Sequence, residues 1–107
     1  MKFGLSEQTI AKINSVFIQY PEVEEVIIYG SRAKGNYRNG SDIDITLKGE
    51  HLTSTILSNI KGDIDELNTP YLFDISLYHK LHSPELEHHI TRVGQVFYTK
   101  QVEEYSH

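Results

Sequence analysis

The sequence contains no cysteine and no tryptophan, and it has only three prolines among its 107 residues. The absence of cysteine excludes a disulfide scaffold, a cysteine-ligated zinc or iron–sulfur site and a thiol nucleophile. The longest purely aliphatic run, Val26-Ile27-Ile28, is far shorter than the roughly 20 residues that span a bilayer. The N-terminal residues turn polar too early for a secretory signal. We therefore expect a soluble cytoplasmic protein with no membrane partner.

Positive charge is also in short supply. Ten Lys and Arg residues stand against fifteen Asp and Glu residues, which gives a net charge of −5 with His neutral. This balance argues against a broad nucleic-acid surface, so we expect no nucleic acid as a direct partner. The length fits one domain, and no repeat, low-complexity tract or linker interrupts it. Residues 1–107 are therefore predicted to form a single domain with a polar tail from about residue 100.

The apolar periodicity predicts alternating helices and strands. Helices are expected from a cap at Ser6 to near Tyr20, from about Thr53 to Leu67, and from Ser83 to Val93. Strands are expected at 26–29, 42–47, about 71–78 and 96–98, with one helical turn after Ser31. The order α-β-turn-β-α-β-α-β predicts an α/β (α+β) fold, with a small mixed β-sheet and helices packed on it.

Three acidic residues occupy positions that suggest chemistry. Asp42 and Asp44 are two apart on a strand, so their side chains leave the same face. Asp74 lies in the next predicted strand, on the face that carries Ser76. If the two strands are neighbours, three carboxylates converge, and their repulsion favours a divalent cation between them. Because Mg²⁺ combines carboxylates with substrate phosphates, the acids predict a metal and the metal predicts a phosphate substrate.

The loop before these acids carries features that suit a phosphate. Gly30-Ser31 follows a strand and opens a turn, so backbone N–H groups and the Ser31 hydroxyl can face an anion. Arg32 and Lys34 add positive charge, and the loop is not a Walker loop. Taken singly, a Gly-Ser turn or an alternating Asp pair is usually a plain turn or a solvated sheet face. A set of six such residues at fixed positions is expected by chance about 10⁻⁷ times per sequence position.

The histidines carry a weaker signal. Adjacent His88 and His89 would point about 100° apart on a helix and could not easily share one ion. With neither cysteine nor an H-E-x-x-H pattern, we predict histidines that face solvent or a partner.

The segment Gly30-Ser31-Arg32-Ala33-Lys34-Gly35 is followed by Ser41-Asp42-Ile43-Asp44-Ile45, with ten residues between Ser31 and Asp42. This arrangement resembles the signature of the DNA polymerase β-like nucleotidyltransferase superfamily. The short length resembles its minimal nucleotidyltransferase (MNT) branch, the antitoxin-type partners of HEPN-domain proteins. The strand around Asp74 and the ending from Arg92 to Tyr98 also fit, so the likeness spans nearly the whole chain.

The resemblance implies a polymerase β-like nucleotidyltransferase fold and a role for each matching residue. Asp42, Asp44 and Asp74 would be the catalytic carboxylates and would hold two Mg²⁺ ions, with Asp74 helping to deprotonate the attacking hydroxyl. The reaction would be in-line attack on the α-phosphorus of ATP with release of pyrophosphate. The residues implied to bind the nucleotide are Gly30, Ser31, Arg32, Lys34 and Ser41.

The acceptor is implied to lie on another molecule, because 107 residues leave no room for the second domain of larger family members. The MNT resemblance implies a Tyr of a HEPN ribonuclease toxin, which adenylylation would silence, so this chain would be its antitoxin. The HEPN pattern R-x-x-x-x-H does not occur here, so the toxin would be a separate chain. Two alternatives stay open: an antitoxin that acts by contact alone, and nucleotidyl transfer to a small molecule or an RNA end.

Overall fold

The structure of the protein, a computed structural model, describes residues 2–38 and 42–100. The helices are α1 (Glu7–Ile18), α2 (Ser31–Lys34), α3 (Ser54–Asp65) and α4 (Pro84–Val93), and the strands are β1 (Glu25–Tyr29), β2 (Ile43–Lys48), β3 (Phe73–Leu77) and β4 (Gln95–Thr99). A 3₁₀ turn, Tyr78–Lys80, follows β3. The element order and the mixed sheet confirm the predicted fold class. The predicted polar tail beyond residue 100 lies outside the described residues.

The three longer helices begin where the sequence places their caps. The hydroxyls of Ser6, Thr53 and Ser83 each accept a hydrogen bond from the amide three residues later, at 3.1–3.2 Å. Each bond satisfies one of the first amides of a helix, which have no partner within the helix. Glycine is a poor helix former, but Gly62 lies within an uninterrupted α3.

The four strands form one mixed sheet in the order β3-β2-β1-β4. β1 runs antiparallel to β2 and β4, whereas β2 and β3 run parallel. In the resulting register Tyr29 lies opposite Asp44, and Asp44 lies opposite Asp74. The sheet therefore brings together the two strands that carry the predicted acids.

The two faces of the sheet are covered differently. One face packs against α1 and α3 and forms the main core, which includes Phe17, Ile45 and Ile60. On the opposite face, Ile90 of α4 packs with Ile27 and Tyr29 of β1 in a smaller cluster. We call this opposite face the carboxylate face, because it also carries Asp44, Thr46, Asp74 and Ser76, two residues each from β2 and β3.

The strand boundaries differ from the sequence prediction by one or two residues. β2 begins at Ile43, so Asp42 precedes the strand. β3 begins at Phe73 rather than near residue 71, and it ends at Leu77 because the chain turns there, where the amide of Leu81 donates to the carbonyl of Tyr78 at 3.2 Å. Leu72, just before β3, is 73% exposed. In the part of the chain that the structure describes, no helix is long and apolar enough to cross a membrane.

Candidate active site

The parallel pairing of β2 and β3 aligns Asp44 and Asp74 across neighbouring strands. Partial burial raises the pKa of the Asp44 carboxyl above its usual value, and the negative charges of Asp74 and Asp42 raise it further. The charge of His89 acts on Asp44 in the opposite direction. All three predicted acids therefore lie within electrostatic range of one another around Asp44.

The three carboxylates do not already form a metal-binding cluster. Among residues 2–38 and 42–100, no three His, Asp or Glu side chains are grouped closely enough to hold a metal ion as they stand. Asp42 and Asp74 are exposed, whereas Asp44 is half-buried. The arrangement provides adjacent oxygen donors on one open surface, and their carboxylate chemistry suits a hard divalent cation.

Gly30 is the point at which the Gly-Ser turn approaches the side chain of Asp44. Its φ of 76° and ψ of −154° belong to a region that residues with a side chain rarely adopt. A Cβ at this position would lie 2.5 Å from Oδ2 of Asp44. Glycine is therefore required twice, for the backbone turn and for the close approach of the turn to the carboxylate.

The turn leads directly into α2, a single helical turn ended by Gly35 at a φ of 85°. Ser31, its first residue, is half-buried, and Lys34, its last, is exposed. Of the motif residues in this segment, Gly30 is the one whose backbone approaches Asp44. Ser41, the remaining motif serine, lies outside the described residues.

Arg32 differs from Gly30, Ser31 and Lys34 in being only 3% exposed. Its Nη1 donates a hydrogen bond to the carbonyl of Phe3 at 2.9 Å, and its guanidinium lies over the ring of Tyr71. The motif gives no sign of this burial, because a basic residue in a Gly-rich loop ordinarily faces solvent.

Tyr29 is a site residue that sequence reasoning missed. It is 7% exposed, and its phenol interacts with the Ser76 hydroxyl on β3, so the side chain reaches across β2. Burial raises the pKa of the Tyr29 phenol, the charges of Asp74 and Asp44 add to the effect, and the Ser76 hydroxyl opposes it. The sequence offers one signal, since Tyr29 immediately precedes the Gly-Ser turn.

The hydroxyls of Ser76 and Thr46 extend the polar network from Tyr29. Ser76 Oγ donates to Thr46 Oγ1 at 3.0 Å, and Thr46 Oγ1 donates to the Ser76 carbonyl at 3.4 Å. Thr46 is fully buried, so these bonds satisfy a hydroxyl that water does not reach.

His89 is the second addition to the site. The rings of His89 and Tyr29 meet edge to face, with centroids 6.1 Å apart. His88 is exposed, as predicted for the histidines, but its neighbour His89 is half-buried at the edge of the carboxylate face. The difference arises because adjacent residues of α4 point in different directions and one of them faces the sheet.

Comparisons with known proteins agree with the family resemblance seen in the sequence. The sequence model of the family described as Polymerase beta, Nucleotidyltransferase matches residues 11–103. No curated protein is detectably similar in sequence. Similar solved structures include a chain of a toxin–antitoxin complex with AMP-PNP, which is 20% identical with a TM-score of 0.66 over 91% of this chain and 76% of that chain.

A chain from the complex of the tri-AMPylated Shewanella oneidensis HEPN toxin with its MNT antitoxin is 15% identical, with a TM-score of 0.64 over 90% of this chain and 74% of that one. A Sulfolobus solfataricus protein classed as a nucleotidyltransferase is 20% identical, with a TM-score of 0.55 over 91% and 92% of the two chains. At these identities the likeness shows a shared fold. With the family match over most of its length, the chain belongs to the polymerase beta nucleotidyltransferase family.

Proposed function

We propose that this protein transfers AMP from ATP to a Tyr hydroxyl of a HEPN-domain toxin and thereby acts as its antitoxin. The observation that carries the proposal is the alignment of Asp44 with Asp74 beside the Gly30 turn. Similar folds come from a toxin–antitoxin complex with AMP-PNP and from a complex that contains a tri-AMPylated HEPN toxin. These neighbours support both the donor nucleotide and the class of acceptor.

The donor set fits a divalent metal. The negative charges of Asp74 and Asp42 raise the pKa of the Asp44 carboxyl, and a shared cation would relieve this repulsion. We assign Asp42, Asp44 and Asp74 as ligands of two Mg²⁺ ions, because hard oxygen donors and phosphates suit this ion. When bound, the ions supply charge neutralisation at the phosphoryl group.

The turn supplies the phosphate contacts. We assign the backbone of Gly30 and Ser31, the Ser31 hydroxyl and the exposed Lys34 to the β- and γ-phosphates, and Ser41 remains a predicted member of this set. Asp74 accepts the proton of the acceptor hydroxyl. The hydroxyl oxygen bonds the α-phosphorus, the bond between the α- and β-phosphates breaks, and pyrophosphate leaves.

The acceptor reaches the site from the open part of the carboxylate face. α4 packs on β1, whereas Asp74 on β3 is exposed. A Tyr presented by a second protein can approach over β2 and β3 without displacing a helix. Because ATP is an intracellular metabolite, we place the reaction in the cytoplasm.

The test is label transfer from α-labelled ATP with Mg²⁺ to a HEPN protein encoded beside this chain. We expect label on the HEPN protein from the wild type and none from Asp42→Asn/Asp44→Asn. Asp65→Asn, an exposed acid on α3, is the matched control and should transfer normally. Transfer by the double variant at the wild-type rate would overturn the assignment of these acids.

A second candidate, neutralisation of the toxin by contact alone, is supported by the similar folds that come from toxin–antitoxin complexes. An unlabelled but tightly bound and inactive HEPN protein would support it. Label on a small molecule or an RNA end in place of the HEPN protein would identify a different acceptor and overturn the proposed one.

A further inference from the structure

Arg32 is the one charged side chain classed as buried among the described residues. Its Nη1 donates to the carbonyl of Phe3 at 2.9 Å. Its guanidinium carbon lies 4.9 Å from the ring centroid of Tyr71 and 5.3 Å from that of Tyr37. A buried guanidinium is costly unless it is hydrogen-bonded, and a cation over an aromatic face is favourable. These contacts therefore hold the group in one place.

The partners of Arg32 come from three separate parts of the chain. Phe3 lies in an N-terminal turn, in which Lys2 and Leu5 exchange backbone hydrogen bonds at 2.9 and 3.1 Å. Tyr37 follows α2, and Tyr71 precedes β3. One side chain thus connects the start of the chain, α2 and the approach to the Asp74 strand.

The N-terminal turn is itself firmly built into the fold. Phe3 stacks on Phe97 of β4 with ring centroids 6.0 Å apart, and Leu5 is fully buried. Gly4, at a φ of 74°, has no space for a Cβ because the ring of Tyr37 packs against it. Arg32 is therefore bonded to a fixed part of the molecule.

We propose that Arg32 is a positioning residue for nucleotide binding, whose side chain fixes α2 and the Gly30-Ser31 turn against the N-terminal turn and Tyr71. This role rests on the proposed function and replaces the direct phosphate contact predicted from the motif. Four residues cannot sustain an isolated helix, so α2 depends on tertiary anchors. At 3% exposure, the guanidinium has little surface left for a phosphate.

The placement of the turn leaves little tolerance. Gly30 already approaches Asp44 so closely that a single added carbon would meet Oδ2 at 2.5 Å. A displacement of about 1 Å in a site of this kind can cost 100-fold in rate. Release of α2 is therefore expected to weaken nucleotide binding although no phosphate contact is removed.

The first test compares Arg32→Met and Arg32→Lys, with Lys61→Met on the exposed side of α3 as the matched control. We would measure the Kd for Mg-ATP by calorimetry and the amide hydrogen exchange of residues 31–35 without nucleotide. For Arg32→Met we expect affinity to fall and exchange to accelerate, each about tenfold. Arg32→Lys keeps a donor and a cation and should restore part of both. Weakened binding with unchanged exchange in α2 would overturn the proposal in favour of direct contact.

The second test uses Tyr71→Leu, which leaves Arg32 in place and removes one ring from it. If Arg32 positions α2, Tyr71→Leu should also bind the nucleotide more weakly than the wild type. The double variant Arg32→Met/Tyr71→Leu should then have nearly the same Kd as Arg32→Met alone. Normal affinity in Tyr71→Leu, or effects that simply add, would contradict it. If the wild type binds no nucleotide, the proposed function fails. The exchange of residues 31–35 then still decides whether Arg32 anchors α2.

Discussion

At the scale of single residues, Gly30 and Asp44 constrain each other more tightly than any pattern in the sequence reveals. The turn can pass over the carboxylate only because residue 30 has no side chain. Asp44 in turn carries the unfavourable electrostatics of the site, since burial and two neighbouring acids oppose its charge. Both features place the candidate chemistry at one point of the carboxylate face.

We predict that Gly30→Ala destabilises the protein by about 1–3 kcal/mol, the usual cost of holding a side-chain residue in a rare backbone region. Nucleotidyl transfer should be lost as well, because the new methyl group meets Asp44. Urea unfolding and the label-transfer assay measure the two effects. Gly62→Ala is the control: its Cβ would meet open space within α3, so this variant should gain about 0.5–1 kcal/mol. Equal stability changes in the two variants would contradict the prediction.

We also predict a pH-dependent gain from Asp44→Asn in the metal-free protein. The pKa of Asp44 is raised in the folded state, so the folded protein binds more protons there and loses stability as pH rises through this interval. The variant should therefore melt at a higher temperature than the wild type at pH 7, and the gain should vanish in acid where Asp44 is protonated.

Thermal melts from pH 3.5 to 7.5 check this, with the exposed loop variant Glu50→Gln as a charge-matched control that should show no such gain. A lower melting temperature of Asp44→Asn at neutral pH would show that the carboxylate is stabilised by its neighbours rather than opposed by them.

At the scale of elements, α4 decides which part of the carboxylate face stays open. Ile90 packs on Ile27 and Tyr29, and His89 meets the edge of the Tyr29 ring. Ser83 caps the helix, because its hydroxyl accepts a hydrogen bond from the amide of Leu86, and Pro84 is the first residue of the helix. The position of α4 thus depends on a local cap and on a few apolar contacts.

We predict that Ser83→Ala costs about 1 kcal/mol of folding free energy, because an amide of the first turn loses its acceptor. Chemical denaturation measures the change. Ser58→Ala, at an exposed position within α3, is the control and should be neutral or slightly stabilising, because Ala is the better helix former. A neutral result at Ser83 would mean that water replaces the cap without cost.

At the scale of the whole molecule, the acids, the turn and the hydroxyl network belong to one sheet, so ligand binding should stabilise the entire fold. A ligand that binds only the folded state at 100 times its Kd adds about 2.7 kcal/mol. For a domain of this size each kcal/mol shifts the melting temperature by about 4–8 °C.

We therefore predict that saturating Mg-ATP raises the melting temperature of the wild type by about 10 °C or more. Asp42→Asn/Asp44→Asn should show little of this shift, and Asp65→Asn should show all of it. Scanning calorimetry with and without Mg-ATP distinguishes these outcomes. An undiminished shift in the double variant would separate nucleotide binding from the two acids.

The sequence by itself determined most of the local structure and the family. Capping side chains such as Ser6 and Ser83 marked helix starts, because a cap acts on amides only two or three residues away. Period-two alternation put Asp44 and Thr46 on one face of a strand, since the geometry of a strand is local. The spacing from Gly30 to Asp44 was sufficient to predict the family whose model matches residues 11–103.

Only the tertiary structure decided which strands are neighbours and which side chains are buried. The parallel pairing that sets Asp44 beside Asp74 joins segments separated by a complete helix, and a pattern within one strand does not specify its partner. The burial of Arg32 and the reach of Tyr29 to Ser76 likewise depend on distant groups. A local motif fixes the types of residue at the site, whereas packing fixes which of them can meet a substrate.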